Sequence, residues 1–177
     1  DEITSVSLLI DGGKIAALSE TPITIKSVKT IDAKGLFLSP GLLDPQVHFR
    51  EPGMEYKEDI ESGSKAAVKG GFTAVVSMPN TTPTADNADT VRFMVETAAK
   101  KGLCKVYPTG ALSKGLEGKS MTDFSALTSA GAVAITDDGK GVQNNALFKQ
   151  ALVCAKHLGV PVLDHSEDET LSNGGAI

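Results

Sequence analysis

Leu43-Asp44-Pro45-Gln46-Val47-His48-Phe49 opens the part of the chain that decides its architecture: a short apolar run that turns polar before it reaches Arg50-Glu51-Pro52-Gly53. Four more runs of this kind follow, Phe72–Pro79, Cys104–Ala111, Gly131–Asp137 and Val160–His165, with starts 27 to 32 residues apart. Between them, Asp59–Lys69, Asn87–Lys101, Thr122–Ala130 and Asn144–Leu158 repeat apolar residues at helical spacing. Gly70-Gly71, Gly102, Gly131 and Gly159 stand at the helix exits, where a left-handed cap is favoured. Five strand–helix steps in series predict a parallel sheet with right-handed crossovers. A barrel and an open doubly wound sheet share that rhythm. No G-x-G-x-x-G follows a strand, which weakens the dinucleotide-binding version of the open sheet.

Upstream the texture is different. Ser5–Ile10, the turn Asp11-Gly12-Gly13 and Lys14–Leu18 read as a hairpin, and Thr24–Ile31 and Gly35–Leu38 as further strands. We therefore divide the chain into residues 1–40, part of a small β-sandwich domain, and 41–177, a βα-repeating domain. The chain has no initiator Met and closes on Asn173-Gly174-Gly175-Ala176-Ile177, so both ends read as cut. A whole eight-stranded barrel needs about 250 residues, so the expected fold is α/β and, if it is a TIM-type barrel, the chain holds about five of its eight βα units.

Composition narrows the function classes. Of 177 residues, 41% are hydrophobic and 22% charged, enough apolar material for a packed core. A net charge of −5 argues against nucleic acid or an anionic membrane as partner. No apolar run reaches the ~18–20 residues that span a bilayer, and no signal-peptide pattern stands at the start. Cys104 and Cys154 lack C-x-x-C spacing and read as buried free thiols of a cytoplasmic enzyme.

Parallel βα architectures place chemistry at the C-terminal ends of strands. Here those ends carry Gln46, His48 and Arg50, then Asn80, then Asp137-Asp138-Gly139, then His165-Ser166-Glu167-Asp168. Period-two alternation puts Gln46, His48 and Arg50 on one side. A lone His between Val47 and Phe49 is more often a hydrogen-bonded core group than a ligand. With His165 and an Asp ending other strands of the same series, a zinc-like site becomes the better reading. Asp137 and Asp138 are not separable at this level, because the Asp-Gly turn breaks the alternation. Arg50 offers a fork suited to a carboxylate, with a salt bridge to Glu51, Glu55 or Asp59 as the plainer alternative. Asn80 either binds substrate or caps the turn before Pro83. His157, on a helix, reads as structural or exposed.

Pro40-Gly41-Leu42-Leu43-Asp44 followed by V-H-F-R-E-P-G, M-P-N-T at Met78–Thr81, T-D-D-G at Thr136–Gly139 and H-S-E-D at His165–Asp168 together resemble the cyclic amidohydrolases, particularly dihydroorotases of the longer bacterial type. The four motifs occur in order over nearly the whole chain. The resemblance implies a (β/α)8 barrel with a binuclear zinc site: His48 on the first metal, Asp138 bridging, His165 on the second, and Arg50 and Asn80 holding the substrate's carboxylate. It selects Asp138 over Asp137. Hydantoinases and many relatives bridge their metals with a carboxylated lysine, and no lysine stands at the matching strand end, which favours the aspartate-bridged branch.

The implied reaction is reversible hydrolysis of dihydroorotate to N-carbamoyl-aspartate in pyrimidine biosynthesis. The proton-shuttling Asp is expected beyond Ile177, so the 177-residue piece alone is expected to be inactive. One departure stands out. The family pattern H-x-H is here Gln46-Val47-His48, and an amide is a poor substitute for imidazole on zinc. One or two zinc ions are therefore expected, with Gln46 a weak ligand. Other readings are an allantoinase- or hydantoinase-like amidase, or a degenerate subunit that assembles with aspartate transcarbamoylase. A homo-oligomer acting on a small molecule is the expected assembly.

Overall fold

The computed structural model describes residues 5–26, 29–172 and 174–175. The chain falls into two compact units, Asp1–Ser39 and Pro40–Ile177. In the first, β1 (Ser7–Asp11) and β2 (Lys14–Ser19) form an antiparallel hairpin with a register shift at Leu9/Ile10. Gly12 and Gly13 turn the chain with positive φ, which a side chain would oppose. Residues 29–38 hold no strand; Ile31, Leu36, Phe37 and Leu38 are exposed and their backbone has no ladder partner among the described residues. The rest of the strand expected over Thr24–Ile31 lies partly outside the described residues.

The second unit follows the strand–helix rhythm: β3 (Leu42–Val47), α1 (Ile60–Lys69), β4 (Phe72–Ser77), α2 (Ala88–Lys101), β5 (Lys105–Pro108), β6 (Gly110–Ala111), α3 (Phe124–Ser129), β7 (Ile135–Thr136), α4 (Asn145–Leu158) and the short α5 (Glu169–Ser172). All strand pairs here are parallel and neighbours in space are neighbours in sequence, β3-β4-β5 and then β6-β7. The order does not reverse, unlike that of a doubly wound sheet. β5 and β6 are two halves of one expected strand. The first half pairs with β4 and the second with β7, with Thr109 Oγ1 and N both donating to the Ser77 carbonyl at the changeover, each at 2.9 Å. The chain thus pairs in two stages, first with the strand before it and then, further on, with the strand after it.

The helices start where the sequence places their caps. Asp59, Asn87, Asp123 and Asn144 each accept backbone N–H groups of the first turn. At Asp59 the arrangement is reciprocal, since Ser62 Oγ also accepts from the Asp59 N–H. At the exits, Gly159 is left-handed as expected, whereas Gly102 is extended. The helices pack consecutively, α1 on α2, α2 on α3 and α3 on α4, with α1 against β4 and α2 against β5. Their buried faces, with residues of the strands and strand ends beneath them, supply the core. Val91, Met94, Leu112, Phe124, Leu127, Ile135, Ala151 and Ala155 form its larger part, and Phe49, Ile60 and Val75 a smaller one.

Three expected strands are shorter than anticipated, and of Gly131–Asp137 only Ile135–Thr136 is a strand. β3 ends at Val47 because its register slips between Asp44 and Val47, around Pro45, which has no N–H to give a ladder. The fifth run, Val160–His165, is reduced to a parallel bridge from Val162 to Ile135, flanked by Ile135 N to the Pro161 carbonyl at 3.0 Å and Leu163 N to the Ile135 carbonyl at 2.9 Å. Pro161 offers no donor there, and Ser166 Oγ bonds Asp164 Oδ2 at 2.8 Å, turning the chain. Cys104 and Cys154 are free and half-buried, and burial pushes the Cys104 thiol pKa up. No helix among the described residues is long and apolar enough to cross a membrane.

Candidate active site

The ends of β3, β4 and β7 meet at one carboxylate. Asp138 follows β7 with a positive φ of 52° and is 8% exposed. Its own N–H donates to Thr136 Oγ1 at 2.9 Å, so the last strand residue fixes the bend that aims it. Gln46 Nε2, from the slipped end of β3, donates to Asp138 Oδ1 at 3.0 Å. Asn80 Nδ2, after β4, donates to Asp138 Oδ2 at 2.5 Å. The other end of the same amide, Asn80 Oδ1, lies 3.1 Å from His48 Nδ1. The Asn80 amide must face Asp138 with its NH2 group, since its oxygen would be repelled, and Oδ1 then only accepts. This contact places a proton on His48 Nδ1, so that in the neutral ring the lone pair lies on Nε2, the form in which an imidazole binds a metal. His48 Nδ1 is 3.8 Å from Asp138 Oδ2, so the pair is an ion pair only when the ring is charged.

Asp137 is separated from its neighbour by this geometry. It turns the opposite way, accepting from Ser113 N at 2.8 Å and from Ser113 Oγ. Burial raises its carboxyl pKa, outweighing the Ser113 hydrogen bonds that act to lower it. Ser113 Oγ in turn accepts from Gly118 N at 2.7 Å. Asp137 is an anchor for the loop after β6, and Asp138 is the member of the pair that faces the strand ends.

His165 joins the same place more loosely. A cleft of about 190 Å³ is lined by Pro45, Gln46, Met78, Thr136, Asp138, Leu163, Asp164 and His165. His165 Nε2 lies 3.7 Å from Glu167 Oε2. Among the described residues, no three His, Cys, Asp or Glu side chains come together as a ready metal-binding group. The structure thus gathers Gln46, His48, Asn80 and Asp138 tightly and leaves His165 on the cleft wall.

Arg50 is not on the strand. It takes φ 53° in a bend where Glu51 N bonds the Phe49 carbonyl at 2.6 Å, so the alternation that unites Gln46 and His48 stops before it. The three carboxylates offered as its salt-bridge partners are engaged elsewhere: Glu51 with Ile60 N and Lys101, Glu55 with Gly53 N, and Asp59 with Ser62. No ion pair among the described residues includes Arg50. His157 lies exposed on α4, its Nδ1 bonding the Val153 carbonyl of the preceding turn at 2.7 Å.

Several supporting residues gave no sequence signal. Gln143 spans two strand-end loops, its Nε2 donating to the Gly141 and Glu167 carbonyls and its Oε1 accepting from Glu169 N. Thr136, by contrast, opens the T-D-D-G motif at Thr136–Gly139, and its place before the Asp-Asp pair is the sequence hint of its role.

Comparison with known proteins agrees with this picture. The family model described as dihydro-orotase-like matches residues 35–177. The dihydroorotase of Aquifex aeolicus is 47% identical over 167 residues, 94% of this chain and 39% of that protein. That of Brevibacillus brevis is 45% identical over 175 residues, 99% of this chain and 41% of its own. The chain thus spans about two-fifths of the length of the curated relatives it matches. Among solved structures, the L-hydantoinase of Arthrobacter aurescens superposes with a TM-score of 0.84 at 24% identity, over 98% of this chain and 39% of that one. A dihydroorotase superposes at 0.57 with 18% identity, over 90% of this chain and 45% of that one. At these identities the superpositions speak for the α/β fold alone.

Proposed function

Because the chain belongs to the dihydroorotase-like family, we propose that it forms the front part of a dihydroorotase: a five-unit arc of a (β/α)8 barrel, preceded by a share of a small β-sandwich. The observation that carries the reading is the carboxylate Asp138, held at the ends of three parallel strands by Gln46 and Asn80 beside a His48 with a free Nε2. Consecutive strand order supports the barrel.

In the proposed reaction, water adds to the ring carbonyl of dihydroorotate and the ring C–N bond breaks. The nitrogen takes up a proton, leaving a new carboxylate beside a carbamoyl group. Arg50, uncommitted among the described residues, would hold the carboxylate the substrate already carries, through paired N–H donors. Asn80 would orient His48 and Asp138 as well as contributing to substrate binding.

The donor chemistry fits one divalent ion better than two. Each oxygen of Asp138 already accepts an amide N–H, yet keeps a second lone pair. Gln46 presents its NH2 group to that carboxylate where an imidazole would present a ligand atom. We place a single zinc on Asp138 and His165, with further donors from outside these residues and His48 beside it. Such an ion, when bound, would supply Lewis acidity for activating water and polarising the amide carbonyl. By itself the 177-residue chain should be inactive. We assign the enzyme to the cytoplasm and to pyrimidine biosynthesis as parts of the same proposal.

A substrate panel tests the reading on the protein at its natural length. Dihydroorotate should be turned over in preference to hydantoin and allantoin. Arg50→Ala should raise KM for dihydroorotate roughly tenfold to a hundredfold, the value of one or two charge-assisted hydrogen bonds. Preference for hydantoin or allantoin would move the protein to a sister activity. Absence of turnover on all three would favour a degenerate subunit, and co-purification with aspartate transcarbamoylase would then be the assay.

A further inference from the structure

Glu51 is a buried carboxylate that the reaction does not use. It is 5% exposed, yet it immediately follows Arg50. Its Oε2 accepts from the backbone N–H of Ile60, the first residue of α1, at 3.0 Å. Its Oε1 lies 3.4 Å from Lys101 Nζ, at the end of α2. A carboxylate taken out of water persists only when both oxygens find partners, and these two come from different helices. On the other side of Arg50, Phe49 is 4% exposed and its ring lies against Gly63 of α1, where an added Cβ would come within 2.3 Å of it. The residues flanking Arg50 are thus both drawn into the α1 side of the bend. Between them Arg50 holds a left-handed φ of 53°, which is strained for a residue that bears a side chain. Arg50 and Asp138 are two of the three non-glycine residues with positive φ among those described. Such conformations persist where surrounding contacts over-determine them.

We infer that Glu51 is a positioning residue for Arg50, pinning the bend through Ile60 N–H and Lys101 so that the guanidinium is presented in one orientation. The inference rests on the reading of Arg50 as the group that binds the substrate carboxylate. Substrate binding should then weaken when Glu51 is lost even though Glu51 touches no substrate.

The test is a double-mutant cycle with dihydroorotate in the protein at its natural length. Glu51→Ala should raise KM about tenfold with a smaller change in kcat, as expected for loss of one buried hydrogen bond to a charged group. Glu51→Gln, whose carbonyl still accepts from Ile60, should restore most of that loss. In an Arg50→Ala background, Glu51→Ala should leave KM where Arg50→Ala put it. Lys101→Met, at a half-exposed position, keeps the test open should Glu51→Ala not fold; it should raise KM roughly twofold to fivefold. An Arg50→Ala effect on KM, with none from Glu51→Ala or Lys101→Met, would overturn the inference and leave the Arg50 reading standing. Effects of Glu51→Ala and Arg50→Ala that multiply would also overturn it, since a purely structural loss persists without Arg50. An unchanged KM in Arg50→Ala would overturn the Arg50 reading and this inference together.

Discussion

At the scale of single residues, the site is decided by which atom of each side chain faces which neighbour. Asp137 and Asp138 are chemically identical and adjacent, and no periodicity separates them through an Asp-Gly turn. The structure does so through partners: Ser113 claims Asp137, while Gln46 and Asn80 claim Asp138. The polar types at the strand ends were legible in the sequence, because strand ends are where a βα fold gathers them. The tautomer of His48 was not, since it depends on an Asn80 that lies 32 residues away and reaches it only in the fold. Glu51 was invisible for the same reason. Its partners are 9 and 50 residues distant, and a glutamate beside an arginine reads first as that arginine's ion-pair partner. Gly63 belongs to this scale too. Replacing a helical glycine with alanine ordinarily stabilises by up to about 1 kcal/mol. Here the new Cβ would lie 2.3 Å from the buried Phe49 ring, so overpacking at about 1–3 kcal/mol should win. We expect Gly63→Ala to lower the urea midpoint. It should also weaken turnover, because Phe49 sits between His48 and Arg50. A midpoint raised by the substitution would show that the ring yields freely.

At the scale of elements, the helices were far more legible than the strands. A helix announces itself by local chemistry: Asp59, Asn87 and Asn144 cap helices that begin one residue later, at Ile60, Ala88 and Asn145. A strand depends on partners remote in sequence. Cys104–Ala111 reads as one run, but Thr109 marks where the chain leaves β4 for β7, and Val160–His165 reads as a strand but keeps only a bridge at Val162. The cap of α1 gives a pH-dependent prediction. Hydrogen bonds from the Ser62 backbone, then from its hydroxyl, lower the Asp59 carboxyl pKa below its ordinary value of 3.8. A carboxylate with a lowered folded pKa binds fewer protons folded than unfolded. Its contribution is therefore complete above the unfolded pKa and is lost as pH falls through the folded one. Asp59→Ala should cost about 0.5–2 kcal/mol at neutral pH, and the difference from the unmodified protein should shrink on titration below pH ~3.8. Equal destabilisation at neutral pH and in strong acid would remove the capping carboxylate as the cause.

At the scale of the whole molecule, the sequence supports an α/β chain of repeated βα units and the structure delivers one, with consecutive parallel strands and a continuous helix layer. The chain spans about two-fifths of the length of these relatives. Our central claim is that its strand ends serve a cyclic amide hydrolase with one metal, the other position being taken over by the Gln46–Asp138 hydrogen bond. Elemental analysis of zinc per chain, run with dihydroorotate hydrolysis on the protein at its natural length and on Gln46→His, tests it most directly. We expect about one zinc with measurable turnover in the unmodified protein, and a second zinc in Gln46→His, where an imidazole replaces the amide donor. Two zinc ions in the unmodified protein, or no zinc and no turnover in either form, would contradict it.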